Sequence, residues 1–346
     1  MIESIELVPG YFISRVIKGG WHLAGGHGAI DKAKSVDDML SFVKAGITTF
    51  DCADIYTGVE GLIGEFLQKH KDAFSNGSLP PVQIHTKYVP DYQALGSLNK
   101  VQTESIIDRS LSRLGVERLD LVQFAWWDYN VPGYVETALH LSELQAAGKI
   151  RYIGVTNFDA SHLNEIIDAG VSVVSNQVQY SLLDRRPEFE ENYLVELPLL
   201  CYGVIAGGFI SDAYLGLPKP SSPLENRSLV KYALIIEECG GWNNFQDLLT
   251  LLKSVGQEEG LSISEVAMAY MLARDRVASI IVGARNTNHL DSFKNLSSIR
   301  LSKGALACIN EYLHQLPGPQ GPVYDLERDK DGKHGRIMKY NLNEQG

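Results

Sequence analysis

Apolar and polar positions along this chain alternate between two periods. Short runs with strand-like patterning recur at Arg15-Val16-Ile17, Thr48–Asp51, Val82–Thr86, Leu119–Phe124, Tyr152–Val155, Val173–Asn176, Leu199–Tyr202 and Ser279–Val282. Between them lie stretches whose apolar residues return every three to four positions: Ser35–Ala45, Glu60–Lys69, Thr103–Leu114, Val135–Ala147 and Ala160–Ala169. A strand that is followed by a helix and then by another strand predicts parallel pairing, with helices covering the sheet. Eight such strands favour a closed barrel over an open sheet, so the expected fold is an α/β (β/α)8 TIM barrel in a single domain.

Two segments break the rhythm. Residues 217–227 are rich in Pro and Ser and lead into a helical stretch ending at Gly240-Gly241, which predicts an insertion after the seventh barrel strand, at about 212–245. The barrel is expected to occupy residues 1–316. Residues 317–346 form a polar extension with many charges, which composition alone leaves flexible.

Composition narrows the partners. The chain has 346 residues, of which 45% are apolar, and a formal net charge of −11. That excess of acid, with no basic stripe, argues against a nucleic-acid partner. No apolar run approaches the length needed to cross a bilayer, and the first residues lack the pattern of a secretory signal. Cys52, Cys201, Cys239 and Cys308 are too scattered for a zinc site or a disulfide framework, so no metal is expected and the location expected is the cytoplasm. The chain is expected to be a monomer or a weak homo-oligomer.

Three strand ends carry the candidate chemistry. The first is Phe50-Asp51-Cys52-Ala53-Asp54-Ile55-Tyr56, continued by Thr57-Gly58-Val59-Glu60 and Gly64; the second is Val82–Lys87; the third is Leu119–Phe124, followed by Ala125-Trp126-Trp127. Together they resemble the signature of the aldo-keto reductases. The resemblance implies that Tyr56 is a general acid, that Asp51 and Lys87 tune it, and that Ala125 stands where the family has a histidine. A cationic neighbour favours ionisation of a phenol, which makes it a better acid near neutral pH. Ala125 cannot donate a hydrogen bond to the substrate oxygen, and losing one such donor typically costs on the order of 10²–10³ in turnover.

The cofactor side follows the same resemblance. No Gly-x-Gly-x-x-Gly follows a strand, so a Rossmann site is not indicated. Gly154–Phe158 is similar to the family's fifth strand end, which implies that Thr156 and Asn157 hold the nicotinamide carboxamide. By the same resemblance, Gln177, in Asn176–Tyr180, is implied to reach the same group, and Tyr202, followed by Gly203, to stack beneath the ring. Ile280–Arg285 is similar to the last strand, implying that Gly283 lies at the cofactor and that Arg285 approaches the 2′-phosphate of NADP(H). His289 stands where Gln or Arg is usual, and Phe293 where an Asn reads the adenine.

Trp21, Trp126, Trp127 and Tyr129 follow strand ends and are expected to wall the substrate pocket, with Trp242 a further candidate from the insertion. Such walls suit an apolar or polycyclic carbonyl compound or enone. The expectation is an NADP(H)-dependent reductase whose family histidine is replaced, either by engineering or by natural divergence. The alternatives are a redox-neutral isomerase, dehydratase or cyclase on the same scaffold, and a non-catalytic nicotinamide-binding subunit. In this family the C-terminal segment folds across the barrel mouth, which sets an ordered tail against the flexible one that composition suggests.

Overall fold

The computed structural model describes residues 2–24, 30–190, 196–284, 286–294 and 296–343. An antiparallel hairpin, β1 (Ser4–Val8) and β2 (Tyr11–Ser14), comes first. Eight parallel strands follow: β3 (Val16–Gly19), β4 (Thr49–Asp51), β5 (Gln83–Tyr88), β6 (Leu119–Phe124), β7 (Ile150–Thr156), β8 (Val173–Gln179), β9 (Leu199–Tyr202) and β10 (Val277–Gly283). Each pairs with its neighbour in sequence, and β10 closes on β3 to complete the barrel. The TIM barrel expected from the alternation is the fold observed.

The helices follow from caps and apolar faces. Asn99 and Gln102 form a capping box at the start of Lys100–Leu114, and Ser262 and Glu265 do the same for Ile263–Leu272. Val59–Lys69 buries Val59, Leu62, Ile63 and Phe66 against the barrel wall. Its Gly64 is a packing requirement, because a Cβ there would lie 2.4 Å from the Arg113 carbonyl oxygen of the neighbouring helix.

The hairpin was not legible as such. It carries Leu7, Tyr11 and Ile13 against Ile17, Leu121, Leu200 and Ile281, and so closes the N-terminal end of the barrel. Tyr11 Oη lies 3.1 Å from Nε2 of buried His85, one layer below Lys87 on the same strand face.

The predicted insertion contains the helix Arg227–Glu238, separated by Gly240-Gly241 from Trp242–Glu259. The C-terminal extension is ordered as far as it is described, and it crosses the barrel mouth. Its charges are paired with residues far away in sequence. Glu327, fully buried, receives Arg186 Nη1 at 3.0 Å and Nη2 at 3.2 Å, and Arg186 also binds Asp184 at 2.7 and 2.9 Å. Arg328 donates to the Asn157 carbonyl at 2.7 Å and to the Tyr129 hydroxyl at 2.8 Å. Asp91 accepts the backbone N–H groups of Leu342 and Asn343 at 2.7 and 2.8 Å. Among the described residues, no helix is long and apolar enough to cross a membrane.

Candidate active site

A strand's two-residue period puts alternate side chains inside the barrel, and the parallel register brings them to one level. Asp51 pairs in register with His85, and Lys87 with Gln123. The result is a buried polar layer at the C-terminal mouth, where barrel enzymes carry their chemistry. Lys87 Nζ lies 2.6 Å from Asp51 Oδ2 and donates to the Cys52 carbonyl at 2.9 Å. Asp51 Oδ1 accepts from Gln123 Nε2 at 3.0 Å and from Gln177 Nε2 at 2.6 Å. Both carboxylate oxygens are therefore engaged, and the pair is fixed rather than solvated.

Tyr56 stands over this pair, with Lys87 Nζ 5.0 Å from the centre of its ring. Burial pushes the phenol above its ordinary value, and Lys87 acts against that rise. The direction corrects the simplest form of the sequence argument: the lysine does favour ionisation, but desolvation is larger. For Lys87, burial opposes the charged form, yet the pull of Asp51 and Tyr56 leaves the ammonium above its usual range.

A cavity of about 560 Å³ opens above the layer. It brings together Asp51, Tyr56, Lys87 and Ala125 with Thr156, Asn157, Gln177, Tyr202, Gly203, Gly283, His289, Trp21, Trp126 and Trp127. Gln177, expected to reach a carboxamide, instead holds Asp51 and Gln123 here. Thr156 Oγ1 donates to the Gln177 carbonyl at 3.1 Å, and the Tyr202 hydroxyl donates to Asn157 Oδ1 at 2.9 Å. Asn157 takes a left-handed φ of 61°, uncommon without glycine. The turn after β9 needs Gly203, at φ 75°, where a Cβ would also collide with Tyr232.

The indole N–H of Trp126 is committed to the carbonyls of Asp128 and Val131, and that of Trp127 to Pro90, so these walls offer apolar surface only. Tyr129 does not belong with them. Its ring stacks on His162 at 3.5 Å and is covered by Arg328 at 4.1 Å, which makes it loop packing beneath the tail. Trp242 likewise packs on Phe209 and Phe245, away from the cavity. Arg285 lies outside the described residues. Phe293 is buried in the core.

Sequence reasoning missed Gln123, which alternation along β6 would have flagged two positions before Ala125. It also missed Arg227 and Lys231, one helical turn apart on Arg227–Glu238 and both lining the cavity. Arg227 has no carboxylate partner among the described residues and lies 5.9 Å from the centre of the Trp21 ring. The tail contributions, Tyr324, Met338 and Leu342, could not have been placed from local pattern.

Asp54, in the loop between Asp51 and Tyr56, ties this centre to the chain end. It accepts from Asn343 Nδ2 at 2.9 Å and from the Val89 N–H at 3.0 Å. Burial pushes its carboxyl up to about 7, and the hydrogen bond from Asn343 acts against that rise. A folded value above the ordinary 3.8 means that the native state holds the proton more tightly than the unfolded chain. Asp54 therefore contributes stability that is present at low pH and is lost as pH rises from about 4 through about 7. Denaturation midpoints of the parent and Asp54→Asn between pH 5 and 8 should show this slope in the parent and a flatter one in the variant. Identical slopes would mean that Asp54 is ionised throughout.

The aldo/keto reductase family model matches residues 15–314, and the chain belongs to that family. It is 30% identical to the NADH-specific methylglyoxal reductase of Escherichia coli K12, covering 79% of this chain and 86% of that protein. It is 23% identical to the L-glyceraldehyde 3-phosphate reductase of the same strain, covering 85% of this chain and 87% of that protein. Among solved structures, a holo-form aldo-keto reductase from Bacillus halodurans superposes with a TM-score of 0.70 at 22% identity, over 95% of this chain and 100% of that one. At that identity the likeness speaks for the fold.

Proposed function

We propose that this protein is a nicotinamide-dependent reductase of a small or medium organic carbonyl compound or enone, with NADP(H) as its cofactor. The observation that carries the reading is the intact Lys87–Asp51 pair at 2.6 Å beneath Tyr56, facing one cavity with Thr156, Asn157, Gln177 and Tyr202. A site that only bound a dinucleotide would have no use for a buried ion pair under a phenol, because burying charges costs stability. Similarity to two named reductases supports the same reading.

The cavity suits the cofactor chemically. Tyr202 offers an aromatic platform, Asn157 stands beside it as the acceptor of its hydroxyl at 2.9 Å, and Arg227 brings a guanidinium suited to a diphosphate to the lining of the same cavity. When bound, the nicotinamide supplies a hydride. Tyr56 gives its proton to the oxygen that becomes the alcohol, Lys87 and Asp51 hold the phenol in place, and Trp21, Trp126 and Trp127 exclude water around the substrate. The preference for NADP(H) rests on Arg285 after Gly283-Ala284.

Quenching of intrinsic fluorescence by NADPH and NADH tests the proposal. NADPH is expected to bind more tightly, and Arg285→Ala to remove the difference. Tyr202→Ala is expected to weaken binding of either nucleotide by about 1–3 kcal/mol, the loss of an aromatic contact of this size. Absence of quenching by both nucleotides would refute the reading. Equal affinities would refute the choice of NADP(H) alone.

A further inference from the structure

We propose that Tyr324, delivered by the C-terminal extension, donates the second hydrogen bond to the substrate oxygen that Ala125 cannot supply. The inference rests on the reductase reading above.

Tyr324 lines the same cavity as Asp51, Tyr56, Lys87 and Ala125, and its side chain is largely buried. Its backbone is left-handed, at φ 64° and ψ 13°. For a bulky L-residue this conformation costs free energy and persists only where the surroundings over-determine it, which is common where a side chain must be aimed.

Those surroundings are present on both sides. Val323 N–H donates to Glu190 Oε1 at 2.6 Å just before Tyr324, and Glu327 is gripped by Arg186 three residues after it. Arg328 reaches the carbonyls of Trp126, at 3.3 Å, and Asn157, at 2.7 Å. Trp126 directly follows Ala125, so the tail is pinned to the strand end that lacks the imidazole.

Several other donors around the mouth are spoken for, and the Lys231 ammonium is drawn to Glu327, 3.9 Å away. The Tyr202 hydroxyl is held by Asn157, the Thr156 hydroxyl by the Gln177 carbonyl, and the indole N–H groups of Trp126 and Trp127 by loop carbonyls. The Tyr232 hydroxyl also lines the cavity and packs against the Gly203 turn, within 2.3 Å of where a Cβ on that glycine would sit. The Tyr324 hydroxyl, by contrast, meets only the Met338 thioether, at 3.7 Å, among the described residues. A thioether is a weak acceptor that a substrate oxygen displaces. Burial, reinforced by Glu327, holds the Tyr324 phenol protonated, so it donates a hydrogen bond without giving up its proton.

In the reaction, the carbonyl carbon gains a C–H bond by taking a hydride from the reduced nicotinamide. The C=O π pair moves to oxygen, and the oxygen takes the Tyr56 proton. Tyr324 keeps its proton and stabilises the charge that develops on oxygen, which is where a preorganised donor has its largest effect.

Single and double variants test this with a panel of aromatic aldehydes, alongside fluorescence titration with NADPH and NADH. Tyr324→Phe is expected to lower kcat by about 10²–10³-fold with nucleotide affinity unchanged. Adding Ala125→His to Tyr324→Phe should restore much of the loss, because an imidazole then supplies the missing donor. Ala125→His alone should change kcat far less, since the position of the oxygen is already served. A tyrosine that merely shaped the fold would give Ala125→His the same effect in both backgrounds, and that result would overturn the role, as would a Tyr324→Phe protein with parental kcat. If the parent binds neither nucleotide, the reductase reading falls and takes this role with it. If the parent binds and reduces, and Tyr324→Phe does so equally well, only the role of Tyr324 falls.

Discussion

Tyr56→Phe is expected to lower aldehyde reduction by about 10²–10⁴-fold, the range for loss of a positioned general acid, while leaving nicotinamide binding intact. The phenyl ring remains to pack on Trp21, which lies 5.0 Å from the Tyr56 ring between centres, so the pocket keeps its shape. What disappears is the proton that the developing alkoxide needs. Lys87→Met should also lower turnover, by a different route. Without the ammonium, nothing offsets the burial that already raises the Tyr56 phenol, and Asp51 is left with Gln123 and Gln177 alone. The phenol then holds its proton more tightly. Turnover should fall across neutral pH, and the alkaline limb of the profile, where a general acid is lost, should move upward. Steady-state kcat from pH 6 to 10 for the parent and both variants is the measurement. Tyr56→Phe turning over like the parent would remove the general acid from the mechanism, and an alkaline limb that stayed in place in Lys87→Met would uncouple the lysine from the phenol.

How far the sequence carried the structure depends on how local the determining forces are. Barrel strands were legible because alternation is a nearest-neighbour property, whereas Asp51, Tyr56, Lys87 and Ala125 stood out only through their joint resemblance to a family signature, and the structure gathers all four around one cavity. Strand ends were less legible: β5 runs on to Tyr88 and β8 to Gln179, since pairing in a barrel extends as far as a partner strand is present. The hairpin Ser4–Ser14 was missed because its strands are short and its role is to plug the barrel, a tertiary matter. Tyr129 was misplaced because chain proximity to Trp126 and Trp127 says nothing of a stack on His162. The tail was the hardest part. Its Asp325–Asp329 run reads as solvated, yet Glu327 and Arg328 find partners 141 and 171 residues away, and no local pattern encodes them.

Those distant partners make Glu327→Ala the most damaging substitution expected outside the catalytic layer. Arg186 is 2% exposed and its guanidinium is shared between Asp184 and Glu327, both inaccessible to solvent. Removing one carboxylate from such a cluster leaves a buried cation with half its hydrogen bonds, and breaking a buried pair from one side typically costs about 3–5 kcal/mol. Burial works against the ionised form of Glu327, but Lys231 and Arg186 more than offset it and hold the carboxyl below its usual range, so the native state depends on that charge. Lys231, 3.9 Å from Glu327 and 5.1 Å from the centre of the Tyr202 ring, would lose its counter-charge at the same time. The loss should therefore be felt twice: in global stability, read by urea denaturation, and at the mouth, where release of residues 323–328 would expose the cavity. Glu327→Gln keeps the shape and some of the hydrogen bonds, and should fall between the parent and Glu327→Ala. A Glu327→Ala protein destabilised by less than about 1 kcal/mol would mean that water reaches Arg186 once the carboxylate is gone, and that the tail is held instead by Asn343 on Asp54 and Asp91 on residues 342–343. Limited proteolysis separates these cases. Cleavage near Arg328 at a concentration that leaves the parent whole identifies Glu327 as the clamp, whereas an intact tail assigns that work to the chain end.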